Sequence, residues 1–167
     1  VPVADEVIEP AFQAVLNQAS DTLGIQMEQT VLRIGHDLLQ FGVRSPINGY
    51  VAVFVRSSDN TLLQLLPNAR IPALSIVAGQ TMQLPPANEP IQAAGPAGQN
   101  QFLVVVTEKP RSYVHLKLQD HYGFGLIGDS TLLDPATQAG LEGSSHCANP
   151  PCQDALAAAW FSVEEVD

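Results

Sequence analysis

The two cysteines of the chain, Cys147 and Cys152, are the residues whose type and spacing point most directly to chemistry. Four residues separate them, in a stretch rich in Ser, Asn, Pro and Gly that is typical of a loop. This pattern predicts a short-loop disulfide, a bond that persists in oxidising compartments. A zinc site that also recruits His146 and either His115 or His121 is one alternative, although the spacing departs from the usual zinc motifs. Two free thiols are the other alternative.

A candidate nucleophile, Ser130, lies in the sequence Gly128-Asp129-Ser130, which resembles the nucleophile block of the Gly-Asp-Ser-Leu esterases. Residue 131 is Thr rather than Leu, and no histidine of the chain has Asp three places before it. A serine hydroxyl without a base to take its proton is a weak nucleophile. We therefore predict an Asx or helix-cap turn at these residues, and a serine hydrolase that uses Ser130 stays an alternative.

The segment 123–128 matches the pattern G-x-G-x-x-G, which in dinucleotide-binding proteins follows a strand and opens a helix. Here Asp129, Ser130 and Pro135 oppose a helix. We therefore interpret the segment as a glycine-rich loop and not as a nucleotide site.

Three residues of metal-binding type, His115, Asp120 and His121, fall within a span of seven positions. As ligands they would need a third group from elsewhere, such as Asp129 or His146. Solvated loop residues are the simpler interpretation. The sequence therefore predicts no catalytic residue, no metal site and no cofactor.

The acidic composition limits the classes of partner. The 167 residues include 17 Asp and Glu against 7 Lys and Arg, for a formal net charge of -10. Because phosphate backbones and anionic membranes attract basic faces, neither a nucleic acid nor a membrane surface is an expected partner. No apolar run approaches the ~20 residues of a membrane span, and any leader or anchor is expected outside a sequence that begins at Val1. The expected partner is a protein or an unknown small ligand.

An amphipathic helix is predicted over residues 4–23. Its apolar positions recur at helical spacing: Val7, Ile8, Ala11, Val15, Ala19 and Leu23. Pro10 lies inside this pattern and is expected to kink the helix or to mark its first turn. The predicted organisation is an N-terminal helix or linker over residues 1–24 and a single β-rich domain over residues 25–167.

Short strands separated by turn residues dominate the rest of the chain. Residues 50–66 predict a β-hairpin, and residues 102–107 are apolar enough to be buried on both faces. Further candidate strands are 31–34, 38–43, 80–84, 91–94 and 160–166. Residues 114–118 are either a short strand or a helical turn, and the Ala-rich residues 155–159 are a candidate helix. This spacing predicts a mostly β fold, an antiparallel sandwich or a partly open barrel with an N-terminal helix.

A long loop excursion is predicted near the C-terminus, over residues 119–151. Long loops on a rigid β scaffold are the usual place for recognition. Tyr122 and Phe124 lie in this excursion, and we predict them as binding residues on an exposed patch that a Cys147–Cys152 bond holds in place. The alternative is that these aromatic rings cover the sandwich.

A series of turn and strand motifs in this chain resembles a known family. The motifs are Gly49-Tyr50, Leu65-Leu66-Pro67-Asn68, Ala78-Gly79-Gln80, Gly95-Pro96-Ala97-Gly98, and a Val-rich strand that ends near Pro110-Arg111. Over about residues 31–111 this order is similar to that of the bacterial domain-of-unknown-function family DUF4384. The terminal segment 158–166 also resembles the closing strand of family members attached to bacterial serine/threonine kinases, including kinases associated with type VI secretion.

The resemblance implies a β fold and brings no catalytic residue with it. Together with the cysteine pair and the acidic surface, it leads to one main hypothesis. The chain is a non-catalytic, periplasmic or extracellular sensory or binding domain of a membrane-anchored signalling protein, such as a serine/threonine kinase linked to secretion. An adaptor or assembly component of a cell-envelope secretion system is the alternative, and a serine hydrolase is the second alternative.

Overall fold

The computed structural model describes residues 7–127, 140–145 and 154–167. The predictions for Ser130, Cys147 and Cys152 lie outside these ranges. The described part contains one α-helix, α1 (Pro10–Gln18), one 3-10 helix (Val114–Leu116) and twelve strands. The strands are β1 (Asp21–Thr22), β2 (Gly24–Gln26), β3 (Val31–Arg33), β4 (Phe41–Arg44), β5 (Gly49–Arg56), β6 (Leu62–Leu66), β7 (Ser75–Ile76), β8 (Thr81–Leu84), β9 (Gly98–Thr107), β10 (Gln119–His121), β11 (Phe124–Ile127) and β12 (Leu156–Val166). Neither described helix is long and apolar enough to cross a membrane.

The strands form two sheets. The large sheet has the order β1-β12-β9-β5-β6-β11-β10, with β3 also paired to β12 and β7 to β5. The small sheet has the order β2-β4-β8. Pairing is antiparallel except where the short strands β1 and β3 run parallel to β12. The large sheet is open, because among the described strands β1 and β10 end its path without pairing to each other.

The large sheet is buried on both faces, because side chains of a strand point alternately to opposite sides. In β9, Phe102, Val104 and Val106 belong to one hydrophobic cluster, the inner core, which lies between the two sheets. Leu103 and Val105 belong to a second cluster, the outer core, on the opposite face. The prediction that residues 102–107 are buried on both faces is therefore confirmed.

Helix α1 closes the outer core. Its Phe12 and Val15 side chains are fully buried there. Its start is fixed to β9 by Gln101, which accepts the Glu9 N–H at 2.8 Å and donates to the Val7 carbonyl at 2.7 Å. The helix begins at Pro10, since proline suits the first helical position.

Several predicted element boundaries are wrong. The helix ends at Gln18 instead of residue 23, because the chain then pairs with β12 through β1. Residues 155–159 form no helix, because β12 begins at Leu156, and residues 91–94 make only an isolated bridge between Gln92 and Leu38. The prediction of an irregular excursion from residue 119 is also wrong, because β10 and β11 form a hairpin that pairs with β6.

The predicted fold class is confirmed. The protein is a mostly β sandwich with one helix near its N-terminus, and the β5–β6 hairpin lies where the sequence predicts it. Residues 114–118, for which a strand and a helical turn were both open, contain the 3-10 helix. This arrangement leaves one end of the inner core accessible, on the large sheet beside the connection 91–95.

Candidate binding cleft

An apolar cleft opens at that end of the inner core. Its volume is about 130 Å³, which is close to the size of a cavity that holds one benzene ring. The apolar lining residues are Leu32, Leu39, Val55, Leu63, Leu65, Ile91, Ala93, Ala94, Phe102, Phe124 and Val163, and Ser57, Gln92, Asn100 and Glu165 supply the polar side chains. A few polar groups in an otherwise apolar concavity are typical of ligand sites.

Glu165 is the one ionisable side chain among the residues that line the cleft. Its Oε2 accepts the Gly95 N–H at 2.9 Å, and the Asn100 side chain hydrogen-bonds to the same carboxyl group. The Asn100 side chain is itself held in place, because its Oδ1 accepts the Ser58 N–H at 3.1 Å. Burial raises the pKa of Glu165, and the hydrogen bonds with Gly95 and Asn100 partly oppose the shift.

The register of β12 places this carboxyl group at the cleft. Phe161 and Val163 face the inner core, and Glu165 follows them at the same period of two residues. Glu165 lies opposite Gly98 at the start of β9. The chain at Gly98 has φ +133°, and a Cβ there would lie 2.7 Å from Ser58 Cβ, so only glycine lets the turn approach β12 and the β5–β6 connection.

The two aromatic binding candidates lie in different environments. Tyr122 is at the tip of the β10–β11 hairpin, where its side chain is 90% exposed. Phe124 is half-buried, packs against the inner core and lines the cleft. The two rings therefore do not share one exposed patch, and their role in binding stays a prediction.

The histidines and Asp120 are not brought together. The Nε2 atom of His115 lies 2.8 Å from the Gly140 carbonyl oxygen, and His121 packs edge-on against the Tyr122 ring. Asp120 is exposed on β10. Within the described ranges, no group of three or more His, Cys, Asp or Glu side chains is placed to hold a metal ion.

A second cleft of about 130 Å³ is lined by Tyr50, Pro67, Pro110 and Tyr113, among others. Its charged lining residue, Arg111, is already engaged. The Arg111 Nε and Nη2 atoms donate to the two carboxylate oxygens of Asp154 at 3.2 and 3.0 Å, and Nη1 donates to a main-chain carbonyl. This cleft thus has a structural ion pair at its wall, whereas the Glu165 carboxylate is held only by hydrogen bonds.

The sequence analysis missed Asn100 and Glu165, two of the four polar side chains of the cleft, and gave neither of them a role. The signal that would have found Glu165 is the alternation Phe161, Val163, Glu165, which places the acid on the apolar face of the last strand. Asn100 had no comparable signal, because its role depends on partners that are distant in sequence.

The fold is a β sandwich, with a small apolar cleft on the inner face of its large sheet. Residues 31–110 match the family described as Domain of unknown function (DUF4384), just under half of the chain. This match confirms the resemblance of the motifs in this part of the chain to that family. Comparisons with curated proteins and with solved structures gave no match. The matched segment supplies most of the cleft, and Phe124, Val163 and Glu165 from outside it complete the lining.

Proposed function

We propose that this chain is a non-catalytic binding domain that captures an apolar group in the cleft on the inner face of its large sheet. The proposal extends to its setting, the periplasmic or extracellular part of a bacterial membrane-anchored signalling protein such as a secretion-linked serine/threonine kinase. The observation that carries the binding role is the cleft itself, an apolar concavity with a small polar cluster formed by Asn100 and Glu165.

The chemistry of the cleft favours binding over catalysis. Acid–base or nucleophilic catalysis needs at least two groups with matched roles. Glu165 is accompanied in the lining by Asn100, Ser57 and Gln92, and hydrogen bonds from Gly95 and Asn100 fix its carboxyl group. A single oriented carboxylate in an apolar concavity supplies recognition and orientation.

The proposed compartment rests on the cysteine pair, and it is tested separately. Mass spectrometry of non-reduced peptides from protein made in an oxidising periplasm is expected to show Cys147 and Cys152 in one disulfide-linked species, because only four residues separate them. Two alkylatable thiols in the same preparation would contradict the proposed compartment.

The binding role is tested with benzyl alcohol, a neutral probe whose single ring matches the volume of the cleft. In an amide-resolved NMR titration, we expect the largest shifts at cleft residues such as Val55, Leu65 and Val163. Ala94→Phe places a ring at the accessible edge of the cleft and is expected to weaken binding at least about tenfold, since a cleft of this size holds only one ring.

Two further variants serve as controls for this titration. Ala87→Phe makes the same substitution on an exposed loop residue that does not line the cleft, and it is expected to bind the probe as the unmodified protein does. Tyr122 does not line the cleft, so its predicted binding role concerns a partner at the hairpin tip, and Tyr122→Ala is expected to leave the affinity for benzyl alcohol unchanged. Unchanged binding by Ala94→Phe would refute the cleft as the binding site.

A further inference from the structure

We propose that the occupant of this cleft carries a primary ammonium group on a short apolar body, and that the ammonium pairs with Glu165. This inference rests on the proposed binding function and specifies the ligand class. The apolar body would be one ring or a chain of similar volume, because the cleft measures about 130 Å³. The class includes small arylalkyl and alkyl amines and the amine-tipped side chain of a protein.

The first support is that Glu165 has no cationic partner among the described residues. The ion pairs of the described residues are Arg56–Glu9, Arg70–Glu89 and Arg111–Asp154. Glu165 is half-buried and takes part in none of them. A carboxylate that is partly removed from water and has no counter-ion is costly, and an incoming cation offsets this cost.

The second support is the unused hydrogen-bonding capacity of the carboxylate. Its two oxygens offer about four acceptor sites, of which the Gly95 N–H takes one on Oε2 and the Asn100 amide takes another. A purely apolar ligand would cover the remaining sites without satisfying them. A ligand with N–H donors satisfies them and keeps the apolar contacts.

The third support concerns the shape of the cation. A guanidinium group binds a carboxylate best through two parallel hydrogen bonds, which need both oxygens on one open edge. In Glu165 the Gly95 N–H takes one acceptor site of Oε2, and Asn100 reaches the same carboxyl group. A compact ammonium needs no such edge. The Phe124 ring also lines the cleft, and aromatic faces attract ammonium groups.

The net charge of the whole chain also favours a cationic ligand. The formal net charge is -10, so the surface as a whole attracts cations and repels anions. An anionic ligand would meet both this field and the Glu165 carboxylate. Acids are therefore excluded from the proposed class.

The test compares benzylamine with benzyl alcohol, which has nearly the same shape and no charge at neutral pH. NMR titrations of the unmodified protein are expected to give a dissociation constant at least about tenfold lower for benzylamine, the size of one charge-assisted hydrogen bond. Glu165→Gln should remove this preference and leave the affinity for benzyl alcohol within about twofold. Glu164→Gln, the matched control one position earlier, should keep the preference, because Glu164 does not line the cleft.

The outcomes separate this inference from the proposed function. Equal affinities for the two probes in the unmodified protein, or a preference that survives Glu165→Gln, would overturn the ammonium assignment while the binding cleft stands. Shifts at the cleft with neither probe would overturn both. Benzoate gives a readout that does not depend on how the variants fold. It should bind the unmodified protein more weakly than benzyl alcohol, and tighter benzoate binding would also overturn the assignment.

Discussion

Replacing Asp154 by alanine is expected to lower the free energy of unfolding by about 3–5 kcal/mol. Asp154 and its partner Arg111 form the most buried ion pair among the described residues, with side-chain exposures of 4% and 9%. Both carboxylate oxygens accept a guanidinium N–H, and the Ser145 hydroxyl donates to one of them. Without Asp154 the Arg111 charge would remain buried with no counter-ion, which is the main source of the loss.

Urea denaturation of Asp154→Ala measures this loss of stability. Two further variants test whether the loss comes from the buried charge. Glu89→Ala removes an exposed pair with Arg70, in which the side chains are 30% and 75% exposed, and should cost at most about 1 kcal/mol. The double variant Arg111→Met with Asp154→Leu removes both charges and should recover most of the lost stability. A loss for Asp154→Ala no larger than that for Glu89→Ala would show that the Arg111 charge is not buried as described.

Gly49→Ala is expected to cost about 3 kcal/mol in the free energy of unfolding, although it adds only one methyl group. Gly49 begins β5 at the point where this strand meets β9. A Cβ atom there would overlap the Thr107 carbonyl oxygen and lie 2.9 Å from Val106 Cγ1. Because a neighbouring backbone group cannot rotate away as a flexible side chain can, the two strands must separate.

The matched control is another strand glycine with space beside it. A Cβ on Gly24 would have Arg44 Cβ, at 3.7 Å, as its nearest neighbour, so Gly24→Ala should change the free energy of unfolding by less than about 0.5 kcal/mol. Chemical denaturation of both variants gives the comparison. Equal midpoints for the two variants would contradict the close approach of β5 and β9, and with it the structural reason for the Gly49-Tyr50 motif.

Local patterns were sufficient to predict the central strands. The β5–β6 hairpin combines two apolar runs with a polar turn, and the sequence 102–107 is apolar at positions that face both cores. The limits of α1 were harder to predict, because the residues after Gln18 keep an apolar pattern that β1 and β2 use as strands. The choice between helix and strand was made there by pairing with β12, a partner more than a hundred residues away.

The binding site was predictable only in part. Phe124 was selected for its aromatic ring in a segment taken as a loop, and it lines the cleft because β11 pairs with β6. The pairing is made by main-chain hydrogen bonds, which leave little trace in the sequence. The partner strand of the hairpin, β10, shows no hydrophobic pattern either, because it is polar and exposed apart from the half-buried His121. Asn100 and Glu165 come together with Gly95 across the sheet, and no local spacing encodes such a meeting.

The central claim is that the cleft on the inner face of the large sheet is the place where this domain binds its ligand. Intermolecular NOE measurements with benzyl alcohol test it most directly, because they report which protein protons lie next to the probe. We expect contacts to the methyl groups of Val55, Leu65 and Val163 and to the Phe124 ring, all of which line the cleft. Contacts confined to the second cleft, at Tyr50 and Tyr113, would contradict the claim.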